Sequence, residues 1–306
     1  MSHKKIALVG PTGIVGEAIL EILIQETANQ WDLVAFSNRE FAIETDKLKE
    51  IYIVPLTDFK SLRKKILEEK PNVIINAVGI SDRKFCEGNK QVAWQINVQL
   101  VEQLVSVSKI LNAHLITFSC EDVFDGGSGP YLETDKPNPK SYLGKSKLAA
   151  ENFVITNINY YTVIRLPLVY GVSALGRKDF VARTIDSLKN GALNLENNYF
   201  TNPILAEDVA WGVMKVIERE LTGILHFGGF DYVLLDLFVK KIAKFFGLDS
   251  SAITFPPNST TKKFGLEKSY AEALLSIKFS SISEGLITYK YLDMEDSSDF
   301  EVLMNY

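Results

Sequence analysis

The sequence predicts a doubly wound α/β fold: a parallel sheet with helices on both faces, then a smaller C-terminal α/β lobe. Three observations carry this expectation. A short apolar run at residues 6–9 leads into a glycine turn, GPTGIVG, and then into the helically periodic EAILEILIQE. Short apolar runs alternate with amphipathic stretches through residue 118, which is the pattern of successive βαβ units. After Gly171 the alternation loosens into a mixed segment. We therefore assign residues 1–170 to the sheet domain, with 202–222 returning to it, and 171–306 to the smaller lobe.

The elements follow in order. Residues 6–9 read as a buried parallel strand. Gly10 permits a tight turn, Gly13 lets a pyrophosphate approach the backbone, and Gly16 lets the helix lie close to the strand. Residues 10–16, with Thr12, Ile14 and Val15, are thus a candidate dinucleotide cradle at a helix N-terminus, and the sheet is Rossmann-type. The plainer reading is a glycine turn before a helix. The second strand, DLVAFS, ends in Ser37-Asn38-Arg39 where an NAD site usually has an acid. Asn38 and Arg39 suit the 2′-phosphate of NADP, with NAD left open; a solvated loop charge is the alternative for Arg39. IYIV is the third strand, and Asp58 caps the helix FKSLRKKILEE. NVIINAVG is the fourth strand, and WQINVQLVEQLV reads as a helix.

In the second half, RKDFVARTIDSLKNG reads as a helix with Phe180, Val181 and Ile185 inward. TNPILAEDVAWGVMKVIE turns into an amphipathic helix that returns to the sheet, GILHFGG is a strand and LLDLFVKKIAKFFGL a helix. The acidic tail DMEDSSDFEVLMNY reads as disordered, or as docking Phe300, Leu303 and Met304 on a partner.

Composition narrows the function classes. A net charge of −5 argues against nucleic acid as a partner. No apolar run reaches the ~18 residues of a membrane helix. The two cysteines, Cys86 and Cys120, form no CxxC pair and suit a cytoplasmic chain with reduced thiols. Histidines scattered at 3, 114 and 226 suggest no metal site.

These motifs resemble the extended short-chain dehydrogenase/reductase family, in its dTDP-4-dehydrorhamnose reductase-like branch, which also holds the regulatory β subunit of methionine adenosyltransferase. The resemblance rests on GPTGIVG, on Asn76-Ala77-Val78-Gly79, on Asn97 in its helix, on SCEDVFDGGSGPYLETDKPNP, on LGKSKLAAE and on VIRLPLVYG. It implies cofactor contacts from Asn76, Ala77, Val78 and Lys147, and carbonyl–alcohol chemistry on a nucleotide-activated sugar. It also implies a tyrosine that gives the proton, a lysine that lowers the tyrosine's pKa and holds the nicotinamide ribose, and a threonine that bonds the substrate oxygen. Lys147 and Asn97 match. The tyrosine position is Leu143, the threonine position is Cys120, and the next two positions, Asp and Tyr in the family, are Glu121 and Asp122. The branch's Asp-Gln-x-Gly-x-Pro-Thr segment is replaced by Asn198-Tyr199-Phe200-Thr201-Asn202-Pro203-Ile204. Arg177, Lys178, Lys262 and Lys263 are candidates to face a diphosphate, or are solvated charges.

Helical geometry decides which residue fills the tyrosine's place. Residues four apart lie within ~40° of one face, whereas five apart diverge by ~140°. Leu143 therefore shares a face with Lys147, and Tyr142 replaces the tyrosine only if the first turn unwinds, which Pro137 and Pro139 leave open. Two functions follow: an NADP-linked reductase of a sugar nucleotide whose proton comes from Tyr142 or Cys120, or a nucleotide-binding subunit without redox turnover that regulates a protein partner. A homodimer is compatible with both.

Overall fold

The computed structural model describes residues 4–25, 31–41, 45, 47–195, 198–255 and 261–295. Of the acidic tail, read as disordered or as docking on a partner, residues 293–295 end the helix Ile282–Glu295, and the remainder with Phe300, Leu303 and Met304 lies outside the described residues. Six sheet strands come first: β1 (Lys4–Val9), β2 (Trp31–Ser37), β3 (Leu48–Ile53), β4 (Val73–Asn76), β5 (His114–Cys120) and β6 (Tyr161–Leu166). The strand Gly223–His226 adds a seventh beside β6. All pair in parallel, in the order Gly223–His226, β6, β5, β4, β1, β2, β3. The chain runs outward from β1 through β2 to β3 and then resumes on the other side of β1 with β4. That reversal opens a crevice at the carboxyl ends of β1 and β4.

Alternation along β1 fills both faces of the sheet. Ile6 and Leu8 pack with Ile19 and Leu23 of α1 (Ile14–Gln25) and with Val209 and Val213 of a later helix, Ala206–Arg219. Ala7 and Val9 face α2 (Phe59–Glu69) and two further helices through Leu62, Ile66, Leu104 and Val154. Asp58 caps α2, accepting from the Ser61 N–H at 3.1 Å. The helix expected to return to the sheet does so, since Ala206–Arg219 packs beside α1.

Between β4 and β5 the chain forms α3 (Arg83–Gly88), α4 (Lys90–Trp94), a π-helical turn (Gln95–Gln99) and α5 (Leu100–Leu111). The sequence suggested one regular helix here; instead the Leu100 N–H reaches back to Gln95 O. After β5 comes α6 (Tyr142–Asn157), anchored from below by a buried network. Glu151 accepts two bonds from Arg165 of β6, at 3.0 and 2.7 Å. Arg165 also meets His226 Nε2 at 3.2 Å, and His226 Nδ1 donates to Tyr131 O at 2.9 Å. Burial holds His226 down to about 3, so it stays neutral and can accept from arginine.

A separate apolar cluster joins Val181, Phe238, Ile242 and Leu286 of the smaller lobe with Tyr170 at the end of the sheet domain. The helix expected at 177–191 is α7 (Phe180–Lys189), capped by Asp179. Val181 is fully buried, and Phe180 and Ile185 pack half-buried against that cluster.

Candidate functional site: a glycine turn and a buried lysine

The three glycines of the turn do different work. Gly10 sits at φ +88°, and a Cβ there would lie 2.6 Å from Val78 Cγ2. A Cβ on Gly16 would lie 2.0 Å from Gly10 O, an impossible approach. A Cβ on Gly13 would meet nothing closer than Gly10 O at 4.0 Å. The protein's own packing therefore requires Gly10 and Gly16, whereas the space beside Gly13 is open.

Around the turn, the Ala77 N–H donates to Val9 O at 2.8 Å, so Ala77 and Val78 wall the crevice. The Asn76 side chain is spent on shape: Nδ2 donates to Thr117 Oγ1 at 3.2 Å, and Oδ1 accepts from the Val78 N–H at 3.2 Å. Thr12 is buried, while Ile14 and Val15 are half-buried against the core. At the end of β2, Ser37 Oγ donates to Arg39 O at 2.6 Å, and Arg39 Nη2 donates to Thr12 O at 3.1 Å. Arg39 thus lies across the turn, beside the exposed Asn38. Glu17, in the first turn of α1, accepts from Ser173 Oγ at 2.7 Å and from the Leu175 N–H at 3.1 Å, which ties the start of the lobe to the turn.

The second half of the site lies past the ends of β4 and β5. Lys147 Nζ donates to Phe118 O at 3.0 Å and would lie 2.7 Å from a Cβ on Gly79. Only a glycine at 79 lets the lysine reach that point. Burial lowers the Lys147 pKa from the ordinary lysine value. Asn97 sits in the π turn with its amide fully engaged. Its Oδ1 accepts from the Ile80 N–H at 2.8 Å, and its Nδ2 donates to Ile80 O at 3.0 Å and to Ser146 Oγ at 3.1 Å. Ser146 Oγ in turn donates to Leu143 O at 2.8 Å.

Leu143 is 2% exposed and packs with Cys86 and Ala93, against half-buried Ile80, Cys120 and Tyr142. The helix is regular from Tyr142 onward, after Ser141 as N-cap, whose Oγ accepts from the Gly144 N–H at 3.0 Å. The first turn has not unwound. Tyr142 holds the helix start through its N–H, which donates to Glu87 Oε1 at 2.7 Å, and Lys90 Nζ lies 5.6 Å from the centre of its ring. Burial pushes the Cys120 thiol far above its usual range, with Asp122 adding to the rise, so it stays protonated.

Sequence reasoning missed the neighbouring charges. Arg83 pairs with Asp122, and Glu121 is 3% exposed. Glu121 accepts from Thr201 Oγ1 at 2.9 and 3.1 Å and from the Gly265 N–H at 2.8 Å. One signal was available: two acids after β5, where the family has Asp and Tyr, require a buried cation nearby. Of the four candidate diphosphate cations, Lys178 pairs with Asp186 at 2.6 Å, and Arg177 and Lys263 are exposed. Lys262 alone of the four lines a small cavity beside Arg83. Asn202 braces the lobe, with Nδ2 donating to Leu266 O at 2.9 Å and Oδ1 accepting from its N–H at 3.0 Å.

Glu121 gives a pH dependence. Burial, opposed by Arg83 and reinforced by Asp122, pushes its pKa from 4.5 up to about 8. Because the folded value lies above the unfolded one, the stabilisation is complete below pH 4.5 and is lost as pH rises through 4.5 to about 8. At about 1.4 kcal/mol per pH unit of difference, the loss is on the order of a few kcal/mol. Thermal melts from about pH 5 to about pH 9 should fall for the wild type and stay flatter for Glu121→Gln. Parallel curves would remove Glu121 as the cause.

A Rossmann sheet with a glycine turn at its switch point and a buried lysine on the helix after β5 defines a protein of the extended short-chain dehydrogenase/reductase type. Residues 4–266 match the RmlD substrate binding domain, and the chain belongs to that family. It is 27% identical over 256 residues to the methionine adenosyltransferase 2 subunit beta of Bos taurus, covering 81% of this chain and 74% of that one. A probable low-salt glycan biosynthesis reductase of Haloferax volcanii is 27% identical over 209 residues, 66% of this chain and 69% of that one. Among solved structures, a dTDP-4-dehydrorhamnose reductase of Clostridium acetobutylicum superposes with a TM-score of 0.80 at 25% identity, covering 95% of this chain and 99% of that one. One from Bacillus anthracis, in complex with NADP, gives 0.79 at 21% identity over 94% and 99% of the two chains.

Proposed function

We propose that this protein binds NADP(H) at the glycine turn and acts as a dinucleotide-responsive subunit for a protein partner, without efficient reduction of a sugar nucleotide. In this reading residues 1–170, joined by 202–222, form the dinucleotide-binding part, and the rest of the chain is the smaller lobe. The observation that carries it is Leu143, buried on α6 one turn before Lys147.

The residues present fit the dinucleotide. The space beside Gly13 is open, Arg39 reaches across the turn to Thr12 O as a cation available to a 2′-phosphate, and Ser37-Asn38-Arg39 stands at the end of β2 where an NAD site usually has an acid. When bound, the nicotinamide supplies hydride exchange with a carbon. Lys147 offers an ammonium for the ribose, held in place by Phe118 O, and Asn97 with Ser146 fixes the first turn of α6. The proton is what the chain lacks. Leu143 has none to give, and the Cys120 thiol is a weak donor. General acid catalysis contributes ~10²–10⁴ in rate and an oxyanion-type donor ~10²–10³. A site missing both binds its cofactor yet turns over poorly. The named subunit role of the bovine relative points the same way.

A second reading, a reductase of an activated sugar with an unusual proton donor, is favoured by the intact Lys147–Asn97–Ser146 arrangement. NADPH oxidation with 4-keto sugar nucleotides separates the two: robust wild-type turnover would sink the subunit reading. The lysine's role has its own test. Lys147→Ala should weaken NADPH binding by ~1.5–3 kcal/mol, the worth of a charge-assisted hydrogen bond. Unchanged affinity in calorimetry, with the protein still folded, would show that the buried ammonium serves only the Phe118 carbonyl.

A further inference from the structure

Arg83 begins α3, and its guanidinium ends against the smaller lobe. Nε and Nη2 donate to Asp122 Oδ1 and Oδ2 at 2.5 and 3.0 Å, a bidentate pair. The guanidinium carbon lies 5.0 Å from the centre of the Tyr199 ring and 4.8 Å from that of Phe264. Those rings meet nearly edge to face, at 5.7 Å and 87°, so the cation fills the corner between them.

The walls of this corner are fixed. Glu121 bonds Thr201 and Gly265, which follow Tyr199 by two residues and Phe264 by one. Ser141 Oγ donates to Asp122 Oδ1 at 3.1 Å. The ring of Phe264 lies against Gly126, where a Cβ would be 2.9 Å from Cζ. Asp122 stands two residues beyond Cys120, and its carbonyl packs on Gly144 in the first turn of α6. The filled corner therefore adjoins Cys120 and Leu143 on the side facing the lobe. The cavity left beside it, lined by Arg83, Lys140, Lys262 and Phe264 among others, measures only about 50 Å³. Pockets that hold drug-sized ligands run to about 300–1,000 Å³.

We propose that Arg83 is the selectivity residue of the interlobe cleft: paired with Asp122 and set against Tyr199 and Phe264, it excludes nucleoside-diphosphate sugars and leaves the glycine turn free for a dinucleotide. This rests on the dinucleotide-binding reading above and explains why the sugar side is shut. Expelling Arg83 would leave Asp122, nearly buried, without its cation, and an incoming diphosphate would add negative charge beside that carboxylate. A neutral sugar offers no charge to replace the guanidinium.

Calorimetric titrations of the full chain with NADPH and with dTDP-glucose test this. Wild type should bind NADPH and give no saturable heat with dTDP-glucose. Arg83→Ala combined with Asp122→Asn, which removes the orphaned charge, should bind dTDP-glucose at least about tenfold tighter than wild type. Its NADPH affinity should stay within about twofold. Should that variant fail to fold, Arg83→Met, which keeps the aliphatic stem against the rings, serves in its place. The proposal is overturned if wild type binds dTDP-glucose as tightly as the variant, or if opening the corner brings no gain. Failure of wild type to bind NADPH would count against the dinucleotide reading, while the dTDP-glucose comparison would still decide the role of Arg83.

Discussion

Leu143→Tyr together with Cys120→Thr, made in the Arg83→Ala, Asp122→Asn background, should raise NADPH-dependent reduction of a 4-keto sugar nucleotide by at least ~10² over that background alone. That is the lower end of what one general acid contributes. The geometry is favourable because Leu143 already shares a helix face with Lys147 and belongs to the apolar cluster against which Cys120 packs. A hydroxyl at 143 would stand near a buried ammonium able to lower its pKa. The cost is overpacking. Leu143 is enclosed by Cys86 and Ala93, and a larger ring there typically costs ~1–3 kcal/mol. Melting curves must therefore accompany the kinetics. Tyr142→Phe in the wild-type chain is the control. Robust wild-type turnover abolished by that change would show that the neighbouring tyrosine supplies the proton. A folded quadruple variant as slow as its parent would show that the missing hydroxyls are not what limits this site.

The second large effect concerns binding alone. Gly13→Val should leave the fold intact and abolish NADPH binding, whereas Gly16→Val should fail to fold. The contrast comes from the surroundings, since a Cβ at 13 meets open space and one at 16 strikes a carbonyl at 2.0 Å. Thermal denaturation with and without NADPH reads both. If Gly13→Val kept the ligand-induced rise in melting temperature, the crevice beside it would not be the binding place.

Much of the sheet was legible because its signals are local. Alternating apolar runs, a glycine turn and an Asp58 cap each follow from a few adjacent residues. The register of Leu143 and Lys147 was legible for the same reason, since a helix fixes angular relations over one turn. The edge strand Gly223–His226 showed as a strand, but its place beside β6 depends on a contact across about sixty residues, from Ile224 to Val163. The Arg83–Asp122 pair was hidden for that reason too: its members lie on α3 and on the 3₁₀ turn Glu121–Val123, and nothing near either names the other. The sequence reading took Asn76 as a cofactor contact; its amide also bonds Thr117 and Val78, contacts that no nearby residue announces.

The π turn at Gln95–Gln99 has a consequence for chain length. A hydrogen bond spanning five residues absorbs one residue more than a regular helix would hold. Removing Gln95 or Ile96 would restore even winding and tighten the backbone, yet rotate the amide of Asn97 by about 100° away from Ile80 and Ser146. The segment thus sacrifices helical regularity for the direction of a single side chain, and a one-residue deletion there would disturb α6 more than most substitutions within it.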